Sequence, residues 1–362
     1  MSSELGQLVF TGISGTSLTD EETTFIEKEN IGGVILFSQN FESPAQLAEL
    51  VNSIQTLRKE YPLFIAVDQE GGRVRRFKEY FTQIPSMYEL ASLDSPKIMF
   101  HVAKIMAEEL RACGVNLNLA PVCDVWTNPK NKVIGDRSFG NNVLDVEKNC
   151  SAIIRGLQTN GVLSCAKHFP GHGSTTKDSH FDLPIVKTPL DILEKVDFSP
   201  FNKAVKSRVE FVMMAHLIVD AIDEELPCSL SPKAHSILRD QLRFNKLIIS
   251  DDMEMHAITK HFGAGDAAVK AIIAGTNIVE YKTMEGAKAG LEGLKEAHKT
   301  KKLKNEVLNE RLARILESKK QNLSEYSPVY IPEITNKVGI SANKTFMDDV
   351  LAKLAETDGQ TA

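Results

Sequence analysis

"GGVILFSQNFESPAQLAELVNSIQTLRKEYPLFIAV", Gly32 to Val67, holds two apolar runs on either side of a segment with a different rhythm. In that middle segment Leu47, Leu50, Val51, Ile54 and Leu57 recur at the spacing of one helix face. Ser43 stands where an N-cap belongs, and Pro44 falls on the first helical position, where a missing N–H costs nothing. The unit reads strand, helix, strand, and strands joined by a helical crossover lie parallel.

The same pattern continues in both directions. Apolar runs occur at "QLVFTGI" around Leu8, "VNLNLA" ending at Ala120, "VLSCA" ending at Ala166, "FVMMA" ending at Ala215, "KLIIS" ending at Ser250 and "AGTNIVEY" around Ile278. With the two already quoted they make eight, and the stretches between them are long enough for crossover helices. Eight repeats of βα favour a closed (β/α)8 TIM barrel over an open doubly wound sheet. The open sheet would also want a full G-x-G-x-x-G turn after the first strand, which "TGISGTSLTDEE" lacks. The barrel is expected to span residues 1–322 as one catalytic domain, closing with the amphipathic helix "NEVLNERLARILESKK". Residues 323–362 are too few for a second domain, so they are expected to form an extension: an extended segment, a helix against the barrel wall, and a frayed polar end.

The chain has 362 residues, of which 42% are hydrophobic and 25% charged, an ordinary globular composition. A formal net charge of −6, with no Lys/Arg stripe interleaved with aromatics, argues against nucleic acid as a partner. The first residues show no basic start before an apolar core, and no apolar run is long enough to span a bilayer, so the expected address is cytoplasmic, away from membranes. Five scattered cysteines without C-x-x-C spacing fit free thiols in a reducing compartment.

In such a barrel chemistry gathers where strands end, because the loops there converge on the mouth. Asp68 follows "LFIAV"; Asp124 follows "VNLNLAPVC", ahead of a loop containing "GDRSFG"; Lys167 and His168 follow "VLSCA"; His216 follows "FVMMA"; Asp251 and Asp252 follow "LIIS". The segment "KHFPGHGSTTKDSH", Lys167 to His180, has three readings: a metal site, a structural loop, or a mobile loop carrying a proton donor. Against metal, Pro170 and Gly171 break the helix that an i, i+4 histidine pair would need. A purely structural loop has no need of three imidazoles. As a proton donor, His180 lies two residues from Asp178, whose carboxylate can accept from one ring nitrogen while the other faces a substrate. Asp251 is the best-placed carboxylate to stand opposite. An acid facing a carboxylate nucleophile describes glycoside hydrolysis with retention.

The runs "AVDQEGGRVRRF", "NLAPVCDV", "GDRSFG", "CAKHFPGHG" with "DSH" after it, "MMAHLIV" and "IISDDMEM" resemble, in this order, the motifs of bacterial β-N-acetylglucosaminidases of glycoside hydrolase family 3, from about Leu5 to Lys320. The resemblance implies that Asp251 is the nucleophile, with Asp252 a hydrogen-bonding or structural neighbour. It also implies that His180 is the acid/base, assisted by Asp178, and that Asp68, Arg76, Arg137, Lys167 and His168 bind sugar. The implied substrate is a carbohydrate with terminal β-linked N-acetylglucosamine, from wall muropeptides in peptidoglycan recycling. No cofactor and no metal are implied, and a monomer is expected. His172, His216 and Asp124 either line the mouth or hold a loop. Asn277 departs from the family's usual Asp on the eighth strand. Trp126 stands where a smaller polar residue is usual, and is expected to pack rather than stack on a sugar. The rivals are a β-glucosidase or β-xylosidase of the same family, a glycoside phosphorylase, and a silent sugar-binding barrel. The intact Asp251, Asp178 and His180 weigh against the silent barrel, and the Asp-His pair against the glucosidase.

Overall fold

The computed structural model describes residues 2–175, 183–324 and 326–361. Eight parallel strands close into a barrel in strictly sequential order. They are β1 (Val9–Thr11), β2 (Gly33–Leu36), β3 (Phe64–Val67), β4 (Leu117–Asn118), β5 (Leu163–Phe169), β6 (Phe211–Met214), β7 (Leu247–Asp252) and β8 (Ile278–Tyr281). Closure is made by β1 against β8, with Val9 opposite Val279. The crossover helix Pro44–Thr56 starts as its sequence predicts: the Ser43 hydroxyl accepts from the Gln46 N–H, Pro44 is in the first turn, and Leu47, Leu50, Val51 and Ile54 are buried.

An aromatic layer plugs the barrel, with Phe64 5.8 Å from Phe10 and 5.2 Å from Phe211, ring to ring. Gly33 makes room for it, since a Cβ there would come within 2.5 Å of the Phe10 ring. The Ser2–Leu8 turn and the helix Asn305–Asn322 cover the N-terminal end. There the Lys319 ammonium donates to Gln7 Oε1 and to the Gly32 carbonyl, both at 2.8 Å.

Two strands run further than their apolar residues suggest. β5 continues through Lys167, His168 and Phe169, and β7 through Asp251 and Asp252. In β5 the ion pairs of Lys167 with Asp68 and Glu70 let a charged side chain continue a buried strand. β4 is shorter than its apolar run: Pro121 cannot donate to a ladder, and the Asn118 side-chain amide bridges both backbone groups of Gln69 instead.

Beyond Asn322 the chain lies along the barrel wall. Val329 exchanges hydrogen bonds with the Asn52 side chain, Phe346 on the helix Ser341–Thr361 stacks on His101 at 4.1 Å, and the buried Glu109 accepts from Gly339 and Asn343. The five cysteines are free and buried. Among the described residues no helix is long and apolar enough to cross a membrane.

Candidate active site

The C-terminal ends of the strands open into a cavity of about 890 Å³. Asp68, Arg76, Arg137, Lys167, His168 and Asp251 all line it, together with Asp252 and His172. Asp178 and His180 lie outside the described residues.

Its floor is a chain of alternating charges. Just after β3, Gln69–Gly71 and Val74–Arg75 form a small antiparallel ribbon. The turn between them uses Gly71 and Gly72, both with positive φ, a conformation glycine adopts without strain. This ribbon presents Asp68, Glu70 and Arg76 to one side. Asp68 accepts from Arg76 at 2.8 Å and from the Lys167 ammonium at 2.7 Å, and Lys167 also reaches Glu70 at 2.6 Å. Glu70 takes the Arg137 guanidinium in a two-pronged grip, both contacts 2.8 Å. Beyond it, Arg137 approaches His168 Nε2 at 3.4 Å, and His168 Nδ1 meets Asp124 at 2.7 Å. With a carboxylate on one side and a guanidinium on the other, the network assigns the ring proton to Nδ1.

These contacts offset the cost of burial. Burial alone would raise both acids, yet Lys167 and Arg76 hold the Asp68 carboxyl well below the usual range, and Arg137 with Lys167 brings Glu70 down to about 2. The same pairs outweigh burial for Lys167 and Arg137 and push both further up. Asp68, Glu70, Lys167 and Arg137 are therefore charged at neutral pH, and their mutual contacts set donors and acceptors at defined places.

At the other side β7 delivers two adjacent carboxyls with opposite fates. Burial opposes ionisation of Asp251, but the His168 and His216 rings, the Asp252 N–H at 2.8 Å and Lys167 prevail and lower it. Asp252, buried beside that charge, rises to about 6 even though it accepts from the N–H groups of Glu254 and Lys282. Adjacent carboxyls driven apart in this way hold different protonation states over a range of pH.

Asp124 holds a loop. Fully buried, it accepts from the backbone N–H groups of His168 and His172. His216 sits beneath the mouth, bonded to Ser229 and to the Asp252 carbonyl, and burial lowers it. His172 lines the cavity, bonds Thr175, and is pushed down by burial to about 4. Trp126 packs edge-on to Tyr88, and its N–H donates to the Asn131 carbonyl. Asn277 lies before β8, where its Oδ1 accepts from Arg239 and from the Ile248 N–H.

Glu70 and Glu280 are lining residues that the apolar-run rule does not find. Glu70 stands two residues past Asp68, a period-two offset that puts both on one face of an extended segment. Glu280 is the one charge within the eighth apolar run. Among the described residues no group of three or more His, Cys, Asp or Glu is arranged to hold a metal ion.

Residues 1–318 match the glycosyl hydrolase family 3 N-terminal domain. The β-hexosaminidase of Nitrosomonas eutropha is 40% identical over 282 residues, covering 76% of this chain and 80% of that protein. A family 3 β-N-acetylglucosaminidase from Paenibacillus sp. str. FPU-7 superposes with a TM-score of 0.92 at 32% identity, over 97% of this chain and 68% of that one. A β-N-acetylhexosaminidase from Beutenbergia cavernae gives a TM-score of 0.81 at 26% identity, over 88% and 98%. With a charged cavity at the barrel mouth and these likenesses along nearly its whole length, the chain belongs to glycosyl hydrolase family 3 and is a glycoside hydrolase.

Proposed function

We propose that the protein is a retaining exo-β-N-acetylglucosaminidase in which Asp251 is the nucleophile and His180, assisted by Asp178, the acid/base. The β-hexosaminidase type of activity is supported by the relatives. For the mechanism, the observation that carries most weight is the divergent pair on β7. Asp251 is held ionised, as an attacking carboxylate must be, while Asp252 is pushed up to about 6 and serves as its neighbour. Asp68, Arg76, Arg137, Lys167 and His168 would take the hydroxyl and acetamido groups of the terminal sugar, paired donors and acceptors suiting paired sugar oxygens.

In the first step the Asp251 oxygen bonds to the anomeric carbon as the glycosidic C–O bond breaks, and the departing oxygen takes a proton from the His180 imidazolium. The Asp178 charge favours that protonated form. In the second, neutral His180 takes a proton from water, whose oxygen displaces Asp251. Two inversions give retention. The proposed natural substrates are N-acetylglucosamine-terminated wall fragments, met by a monomer in the cytoplasm.

A chromogenic β-N-acetylglucosaminide compared with the matching β-glucoside, with wild type and Asp251→Ala, tests this. Turnover of the acetamido sugar, falling roughly 10⁴-fold or more in the variant, is expected. Turnover of the glucoside alone, or an active Asp251→Ala, would overturn the reading. Repeating the assay with added phosphate separates hydrolysis from phosphorolysis, because only the latter releases a sugar 1-phosphate. For His180→Ala the loss should be smallest where the leaving group needs no proton; equal losses across leaving groups would remove its acid role.

A further inference from the structure

The cavity contains a carboxyl that the mechanism above does not use. Glu280, on β8, lines the pocket and is only 4% exposed. Its backbone is fully engaged, the N–H donating to Ser250 Oγ at 3.0 Å and the C=O accepting from Met253 at 2.9 Å. Of its carboxyl, Oε2 is buried with no hydrogen-bond partner. The other acids on the wall have theirs: Asp68 and Glu70 hold cations, and Asp251 and Asp252 accept backbone N–H groups. The charged groups acting on Glu280 are Asp68 after β3, Asp251 and Asp252 on β7 and Lys167 on β5, so three of the four repel its charged form. A residue required only to fill this place would be apolar, as Val279 and Tyr281 beside it largely are. A buried acid oxygen left unpartnered on a cavity wall calls for an explanation.

We propose that Glu280 is a further specificity residue, whose carboxyl hydrogen-bonds one hydroxyl of the terminal sugar on the pocket floor; this rests on the glycosidase reading of the same cavity. Burial among those carboxylates pushes the Glu280 carboxyl well above its usual range, so the acid retains its proton. A protonated acid donates through one oxygen and accepts through the other, which matches an alcohol and does not require a charged substrate. A sugar lacking that hydroxyl would leave the acid buried and orphaned, and sites built to bond a hydroxyl reject such analogues strongly.

The test measures wild type, E280Q and E280L on the chromogenic β-N-acetylglucosaminide and on its 3-, 4- and 6-deoxy analogues, together with melting in the absence of sugar. On the parent substrate E280L should lose roughly 10- to 100-fold in kcat/KM, with E280Q much closer to wild type. On one deoxy analogue wild type and E280L should converge. E280L should also melt higher than wild type, because it removes an unsatisfied buried acid. E280A, with no bulk to misfit, gives the same kinetic readout if leucine is badly shaped for the site. Unchanged kcat/KM in both apolar variants, or an equal loss on all four sugars, overturns the inference while leaving the glycosidase reading intact. A wild type that cleaves none of them removes that reading, and the inference with it.

Discussion

Among the described residues two lysines lie buried in this barrel, one at each end. Lys167, 2% exposed, is at the mouth between Asp68 and Glu70, and Lys319, 1% exposed, is at the base against Gln7 and the Gly32 carbonyl. Burial opposes both charges. At the mouth two carboxylates overcome it and push Lys167 up; at the base neutral oxygens and the Phe64 ring, 5.1 Å away, receive the ammonium, and burial brings Lys319 down to about 7. A fixed array of full charges is costly to assemble, and on the proposed reading the array at the mouth is there to grip polar groups of a substrate, whereas the base closes the barrel around Lys319 with neutral oxygens.

Among changes to the two lysines and their partners, the largest effect should come from Lys167→Met. It leaves Asp68 and Glu70 facing one another with one counter-ion fewer, and breaking a buried ion pair from one side costs about 3–5 kcal/mol. Denaturant unfolding should report that loss. Activity should fall roughly 10²- to 10³-fold, as when one preorganised electrostatic contact is removed. Near-normal turnover would mean that the mouth network is scaffolding alone.

Glu70→Gln sharpens the comparison with a smaller change. The amide keeps the shape but loses the grip on Arg137, and a misplaced guanidinium should lower kcat/KM by up to roughly 100-fold. It should also alter acid stability in a defined direction. Glu70 titrates near 2 when folded and at the ordinary value of 4.5 when unfolded. Its contribution is therefore complete above about 4.5 and vanishes as pH falls through about 2. The slope of stability over that window should be shallower in Glu70→Gln, measured by denaturant midpoints at stepped pH.

The mouth was far more legible in the sequence than the base. Parallel strands covered on both faces read as unbroken apolar runs, so all eight could be found. A charge directly behind such a run, as at Asp68, Lys167, His168 and Asp251, then marks the rim. Where strands continued into charged residues, the apolar run alone set the end too early, since what sustains Lys167 within β5 is Asp68 and Glu70, from a distant part of the chain. Glu70 was hidden by the glycines after it, which read as a turn and nothing more. Glu280, inside an apolar run, had no local sign of what faces it. At the base, Lys319 stands in the "ESKK" that ends an amphipathic helix and reads as solvated. The Ser2–Leu8 segment and the Gly32 carbonyl, about three hundred residues away in the chain, cover it.

That base lysine supplies the smallest effect, and one confined to stability. Between about 7 and the ordinary lysine value of 10.5 the unfolded chain binds a proton that folded Lys319 does not, so stability from this residue rises with pH across that window. Below about 7 both states are charged and the burial penalty is constant. Lys319→Met removes the ammonium, and although Gln7 Oε1 and the Gly32 carbonyl lose their donor, a buried charge goes with it, so the two changes oppose each other near neutral pH. The informative quantity is therefore the slope. The difference in unfolding free energy between wild type and Lys319→Met should tilt toward wild type from pH 7 to pH 10, with turnover unchanged, because the mouth network does not involve this end of the barrel. A difference that stays flat with pH would mean that Lys319 keeps its ordinary charge when folded. The contrast between the two ends would then lie in their partners alone, not in their protonation.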